Sequence, residues 1–268
     1  MIVIKKMLIL NFKLYKCLTL DLKAVRLFPN FNKLSYTCNY LGLVIGDATD
    51  NGLRYFLKKH QEINKFQLGS DETTRDSSKC SSKGLKALMT LPNLTSVEIK
   101  RMIKSCPGQI IYSIQSTCLT TLELYNLPSI AEESILALLD SCTSNLKSIS
   151  LPGNPNITDN ILLKIFQKFG HSLKSLDLGS TNVTGEILSE YTGSLPVITE
   201  LYLNHCDNLM DSGLFLLLQL SRNTLVHISI VESGITGENL IEINGTMPCL
   251  EGFYFWGCRQ LTDKGKRS

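Results

Sequence analysis

Between Leu146 and Pro248 one pattern of apolar and polar positions is written four times. Each copy opens with an aliphatic residue followed by two more, three and five positions later: Leu146, Ile149, Leu151; Leu173, Leu176, Leu178; Ile198, Leu201, Leu203; Leu225, Ile228, Ile230. Such alternation puts Ile149 and Leu151 on one face of a short strand and Ser148 and Ser150 on the other. Eight residues beyond the opener stands a small or polar residue: Asn154, Thr181, Cys206, Ser233 and, in a fifth copy, Cys258. A buried side chain there can hydrogen-bond turn backbone that has no ladder partner.

Each unit then carries an aliphatic residue and a helix-start signal, as in Ile157-Thr158-Asp159, Val183-Thr184, Leu209-Met210-Asp211 and Ile235-Thr236. Thr and Asp side chains at these points are expected to cap the free amides of a first helical turn. Leu162, Ile165 and Phe166 supply an apolar stripe at helical spacing. The openers 146, 173, 198 and 225 are 27, 25 and 27 residues apart, and a period of roughly 20 to 29 residues with this pattern is that of a leucine-rich repeat. The expected fold is therefore an α/β solenoid or horseshoe, with about nine parallel strands on the concave face and helices on the convex face.

Residues 1–268 read as one solenoid domain, with degenerate repeats over 1–93 and regular ones over 94–268. Met7, Leu10 and Phe12 are expected to form a first strand, with a helix around Leu18 to Leu27. Phe31, Leu34 and Tyr36 with Asn39 predict a second strand, and the helix DNGLRYFLKKH follows from Asp50. Ile63, Phe66 and Leu68 open the third unit, in which the Ser-rich stretch 70–82 is a polar insertion. Leu250, Phe253 and Phe255 start a last unit whose helix is incomplete, as in a fragment of a longer protein or an incomplete gene product.

The unit LxxLxLxxC/N followed by ITDxGL resembles the cysteine-containing leucine-rich repeats of F-box proteins and of the antagonist-of-mitotic-exit family. NHCDNLMDSGLFLLL and WGCRQLTDKG carry the resemblance most closely. Only Cys206 and Cys258 place the family's cysteine at the position eight beyond the opener. The resemblance implies a protein-binding module that presents a substrate to a cullin ubiquitin ligase. No adaptor-docking helical module is legible, so the chain by itself is expected not to assemble a ligase, and a cullin would be reached through a module missing here. The repeat tail of a nucleotide-regulated immune receptor and a structural scaffold are the alternatives; units nearer 25 to 27 than 28 residues speak for the first reading over the immune receptor.

Composition narrows the partners. With 43% hydrophobic and 19% charged residues the chain has an ordinary globular balance, and a net charge of +3 with dispersed Lys and Arg offers no footprint for nucleic acid. The apolar run from Leu214 to Leu220 is far short of a membrane span, and the lysine-interrupted N-terminus lacks the core and cleavage site of a signal peptide. Nine scattered cysteines with no CxxC pair fit reduced thiols and a cytoplasmic or nuclear location. Asn93, Asn156, Asn182 and Asn244 head N-x-S/T triplets, which read as polar loop residues of the repeat. The segment GDATDNG at 46–52 lacks the distal Glu of a calcium loop and reads as a turn and helix cap. His60, His171, His205 and His227 have no nucleophile at catalytic spacing, so no catalytic residue, metal or cofactor is expected.

What remains is the exposed face of the sheet. Four residues beyond the openers lie Glu98, Glu123, Ser150, Asp177, Tyr202, Ser229 and Tyr254; six beyond lie Lys100, Tyr125, Pro152, Gly179, Asn204, Val231 and Trp256. The aromatic C-terminal end is the candidate protein-binding site, made of Tyr202, Asn204, His205, His227, Tyr254 and Trp256 and flanked by Glu200 and Glu232. Trp and Tyr dominate interface energetics, and the flanking carboxylates favour a basic, partly apolar partner; the alternative is that Tyr254 and Trp256 pack against a further C-terminal unit.

Overall fold

A computed structural model describes residues 17–21, 40–44, 51, 54, 57–58, 61–69, 91–100, 118–143, 145–238 and 247–262. Ten strands form one parallel sheet in chain order: β1 (Cys17–Asp21), β2 (Tyr40–Val44), β3 (Lys65–Gly69), β4 (Ser96–Lys100), β5 (Thr121–Tyr125), β6 (Ser148–Ser150), β7 (Ser175–Asp177), β8 (Glu200–Tyr202), β9 (His227–Val231) and β10 (Gly252–Trp256). Parallel neighbours require a crossover between every pair. Among the described residues, three crossovers hold α-helices described along their whole length: α1 (Glu132–Ser141), α2 (Asp159–Phe169) and α3 (Asp211–Ser221). Strands sit about 4.7 to 4.9 Å apart and packed helices about 8 to 10 Å apart, so the stack bends with the sheet on its inner, concave side.

The register follows the sequence pattern from β4 onward. Leu122, Ile149, Leu176, Leu201 and Ile228 stand in one row across β5 to β9, and all are at most 1% exposed. Ile161, Leu162, Ile165, Phe166 and Phe169 of α2 close the core from behind. Among the described residues no helix is long and apolar enough to cross a membrane.

Two expectations for the first third need correction. Leu18 to Asp21, expected to open a helix, belongs to β1 instead. A strand also lies at Tyr40–Val44, where none was expected. In sequence, Tyr15, Leu18, Leu20 and Cys38, Leu41, Leu43 repeat the frame with Tyr and Cys as openers, and the register pairs Leu18 with Leu41 and Leu41 with Phe66. A search that demands an aliphatic opener misses both. The proposed strand at 7–12, the positions 31–36, the insertion 70–82 and the segment 46–50 lie outside the described residues. Asn51, Arg54, Leu57 and Lys58 are helical as expected, and Ile63 and Phe66 are fully buried.

The polar ladder eight residues beyond the opener forms as the pattern requires. Asn154 is fully buried; its Nδ2 donates to the carbonyls of Leu124 at 2.8 Å and Leu151 at 2.7 Å, while its Oδ1 accepts from Leu127 N at 2.8 Å. Ser233 Oγ donates to Leu203 O at 2.6 Å, and Cys206 Sγ lies 3.1 Å from Leu178 O. Cys258 repeats the contact with Ile230 O at 3.5 Å. Each side chain thus reaches back to the carbonyl five residues beyond the previous opener. Thr181 is the exception and bonds Leu178 of its own unit at 2.6 Å.

One residue earlier the chain turns a corner in the left-handed region in every one of these units: Asn126, Gly153, Ser180, His205, Glu232 and Gly257 have φ between 51° and 75°. Only two are glycines. The side-chain hydrogen bonds of Thr181, Cys206 and Ser233 hold Ser180, His205 and Glu232, and the Leu127 amide bonded to Asn154 Oδ1 holds Asn126, in a conformation that L residues disfavour.

The helix starts differ from expectation in an informative way. Thr158 and Met210 precede α2 and α3 without a side-chain cap; Thr158 Oγ1 instead bonds Glu132 Oε1 of the previous unit at 2.6 Å. Asp159 accepts from Thr184 N at 2.8 Å, Thr184 Oγ1 at 2.5 Å and Gly185 N at 3.0 Å. The signal read as a cap therefore fastens each unit to the next. After Val183-Thr184 the chain forms only a five-residue 3₁₀ helix, Glu186–Glu190, with Glu186 N donating to Thr184 Oγ1 at 3.2 Å. Gly185 has φ 81° and sits against Gly213 at the start of α3, where a Cβ on Gly185 would lie 2.6 Å from the Gly213 Cα.

Candidate protein-binding surface

Because strand side chains alternate, the second, fourth and sixth residues beyond each opener face away from the leucine core. Their N-terminal half is acidic and internally satisfied. Glu98 is only 6% exposed and pairs with Lys100, whose ammonium lies 5.2 Å from the Tyr125 ring centroid. Glu123 stands beside Glu98 in register; burial first and the Glu98 charge second push its carboxyl above the ordinary range. Asp177 accepts from Ser150 Oγ at 2.9 Å and from Gly179 N at 3.0 Å.

Towards β10 the face becomes aromatic. Tyr202, Ser229 and Tyr254 occupy one row on β8, β9 and β10, which puts the two tyrosines two strand spacings apart, roughly 9 to 10 Å. Tyr254 and Trp256 are 57% and 61% exposed, whereas Tyr202 is half-buried. Burial, then Glu200, Asp177 and Tyr254, raise the Tyr202 phenol. His227 pairs with Gly252, and a Cβ there would lie 2.5 Å from His227 Nδ1, so the absent side chain makes room for the ring. Glu200, Tyr202, His227, Tyr254 and Trp256 therefore share the sheet face on which the sequence pattern places them.

The other three candidates have different surroundings. Asn204 Oδ1 accepts from Ser229 Oγ at 2.7 Å and Val231 N at 2.9 Å, which makes it a fastener beneath the patch. His205 and Glu232 occupy left-handed corners beyond the strand ends, with His205 Nδ1 3.6 Å from Glu232 Oε2. They line a hollow of about 360 Å³ together with Asp207, Gly234, Arg259 and Gln260. Sequence reasoning did not pick out that hollow. Its signal was present, since Asp207, Gly234 and Arg259 all stand nine residues beyond their openers.

Phe253, on the core side of β10 by its pairing with Ile228, is 51% exposed and stacks on Phe255 at 5.7 Å. The Cys142 and Cys206 thiols are pushed up to about 11 by burial, which keeps them protonated and unreactive near neutral pH. Asn156 and Asn182 donate their amide nitrogens to Ile130 O at 2.8 Å and Pro155 O at 2.7 Å. These are the loop roles that the repeat predicts for them.

Neither the known protein families nor the curated proteins contain a match to this chain. Among solved structures, a chain from the crystal structure of the Rad7 and Elc1 complex in yeast is similar over 81% of this chain and 74% of its own length, with 14% identity and a TM-score of 0.43. A likeness that distant carries no functional argument, and the fold assignment rests on the repeat register itself.

Proposed function

We propose that this chain is a non-enzymatic protein-binding module, acting in the cytoplasm or nucleus as the substrate-recognition repeats of an F-box-type ubiquitin ligase receptor. The observation that carries the binding reading is the solvent-facing aromatic row: Tyr254 and Trp256 stand more than half exposed on the sheet face that points away from the leucine core. Large aromatics bury much area at little entropic cost, and they lose that benefit when left in water. The ubiquitin-ligase part rests on the resemblance of the repeat unit to F-box proteins, with the cullin reached through a module outside this chain.

The test is site-specific photo-crosslinking in the native cells. A crosslinking residue in place of Tyr202 reports on the sheet face, and one in place of the exposed Gln167 on α2 reports on the helical face. Adducts from position 202, to a protein whose ubiquitination falls when this gene is deleted, support the whole proposal. Adducts only from position 167 overturn the sheet-face reading. A partner found at position 202 whose ubiquitination and lifetime ignore the deletion leaves the binding module and removes the ligase.

A further inference from the structure

The acidic N-terminal half of the sheet face already contains a cation bound to it. Lys100 places its ammonium on the Glu98 carboxylate and over the Tyr125 ring, a carboxylate–cation–aromatic arrangement of the kind that stabilises by quadrupole and charge together. Across β7 to β10 the same ingredients recur without the cation. The outward positions supply Glu200 beside Tyr202, Tyr254 and Trp256, with His227 in register with Glu200 and no Lys or Arg, while Asp177 is already bonded to Ser150 and Gly179. Among the described residues neither Asp177 nor Glu200 joins an ion pair. The chain as a whole carries +3, so the acidity of this face is local.

The row geometry selects among cations. Ser229 lies between Tyr202 and Tyr254; it is 7% exposed and its hydroxyl is taken up by Asn204. The row thus carries two phenol rings about 9 to 10 Å apart at their backbones on either side of a small satisfied residue, with the Tyr254 ring lying against Gly252 beside His227. Guanidinium stacks on aromatic faces and pairs carboxylates in a fork, whereas ammonium is a compact point charge that covers one ring.

Resting on the protein-binding reading above, we propose that the Tyr202–Tyr254 row, with Trp256 at its side and the Glu200 carboxylate behind Tyr202, takes an arginine side chain from an extended segment of the partner protein. The partner thereby supplies to the C-terminal half what Lys100 supplies to the N-terminal half.

Trp256 is the only tryptophan in the chain, so its fluorescence reports on the site directly. The probe is an acetylated pentapeptide bearing two arginines, titrated beside its citrulline and lysine twins. The arginine peptide is expected to give a saturable change, with the citrulline peptide at least about fivefold weaker, the lysine peptide in between, and the arginine affinity lowered at least about fivefold in Glu200→Gln and Tyr202→Ala. Melting temperatures of both variants check that the fold is kept; Glu200→Gln removes a half-buried charge at nearly unchanged volume and keeps the test valid if Tyr202→Ala unfolds. Equal affinity for the citrulline peptide, no effect of Glu200→Gln, or no saturable change up to about 10 mM overturns the proposal, since a single such anchor binds in the millimolar range. If the arginine peptide fails while crosslinks from position 202 still form, the arginine proposal falls and the protein-binding reading stands.

Discussion

The Asp211 carboxylate accepts a 2.5 Å hydrogen bond from the hydroxyl of Thr236, in the next repeat unit at a separation of 25 residues, and three backbone amides, Thr236, Gly237 and Glu238, donate to the same carboxylate. Burial acts to raise this carboxyl, but the hydrogen bonds from Thr236, Gly237 and Glu238 outweigh it and hold the group below its ordinary 3.8. A carboxyl depressed on folding contributes stability above its unfolded value, and that contribution disappears as pH falls through the folded value. Asp211→Asn is therefore expected to cost about 1 to 3 kcal/mol at pH 7, since hydrogen bonds to a charged acceptor are at stake. In denaturant titrations the gap to the wild type should close below the ordinary 3.8; a gap that persists in acid would show that the charge is not the cause.

Glu123 predicts the opposite sign. Burial and then Glu98 raise its carboxyl above 4.5, so the ionised group works against folding once pH rises through that elevated value. Glu123→Gln should raise the melting temperature at pH 7 and leave it unchanged at acid pH below the ordinary 4.5. A lower melting temperature at pH 7 would mean that the Lys100 and Lys65 charges dominate instead.

Gly213 tests the contact between units. In an isolated helix Gly→Ala stabilises by about 1 kcal/mol. Here a Cβ at Gly213 would lie 2.7 Å from the Gly185 Cα, so overpacking is expected to reverse the sign and cost about 1 to 3 kcal/mol. Chemical denaturation of Gly213→Ala decides it, and a stabilised variant would contradict the close approach.

Leu176 and Ser175 are adjacent on β7 and face opposite ways. Leu176 is fully buried, so Leu176→Ala should cost about 2 to 5 kcal/mol through the cavity it leaves. Ser175→Ala should stay within about 0.5 kcal/mol, as surface substitutions do. Equal losses would refute the inward and outward assignment.

Ile149, Leu176 and Leu201 were legible as core before any coordinates, because period-2 alternation and a repeat of 25 to 27 residues depend only on local order along the chain. The polar ladder through Asn154, Cys206 and Ser233 was legible for the same reason, since one repeat position always meets the same unpaired turn carbonyls. The aromatic row of Tyr202 and Tyr254 followed from that frame as well. Where the opener is Tyr15 or Cys38, the frame is hidden from an aliphatic search, and pairing with the next strand is what exposes it. Only the tertiary structure decided what Asp159 and Asp211 do: each reads locally as a helix cap, yet its partners lie in the next unit, 25 or more residues on, where stacking brings them within reach. The same holds for Asn204, an apparent ligand group that stacking turns into a fastener for Ser229 and Val231. Contacts within a repeat are written in the sequence of that repeat, whereas contacts between repeats depend on a rise and rotation per unit that only the packed sheet and helices set.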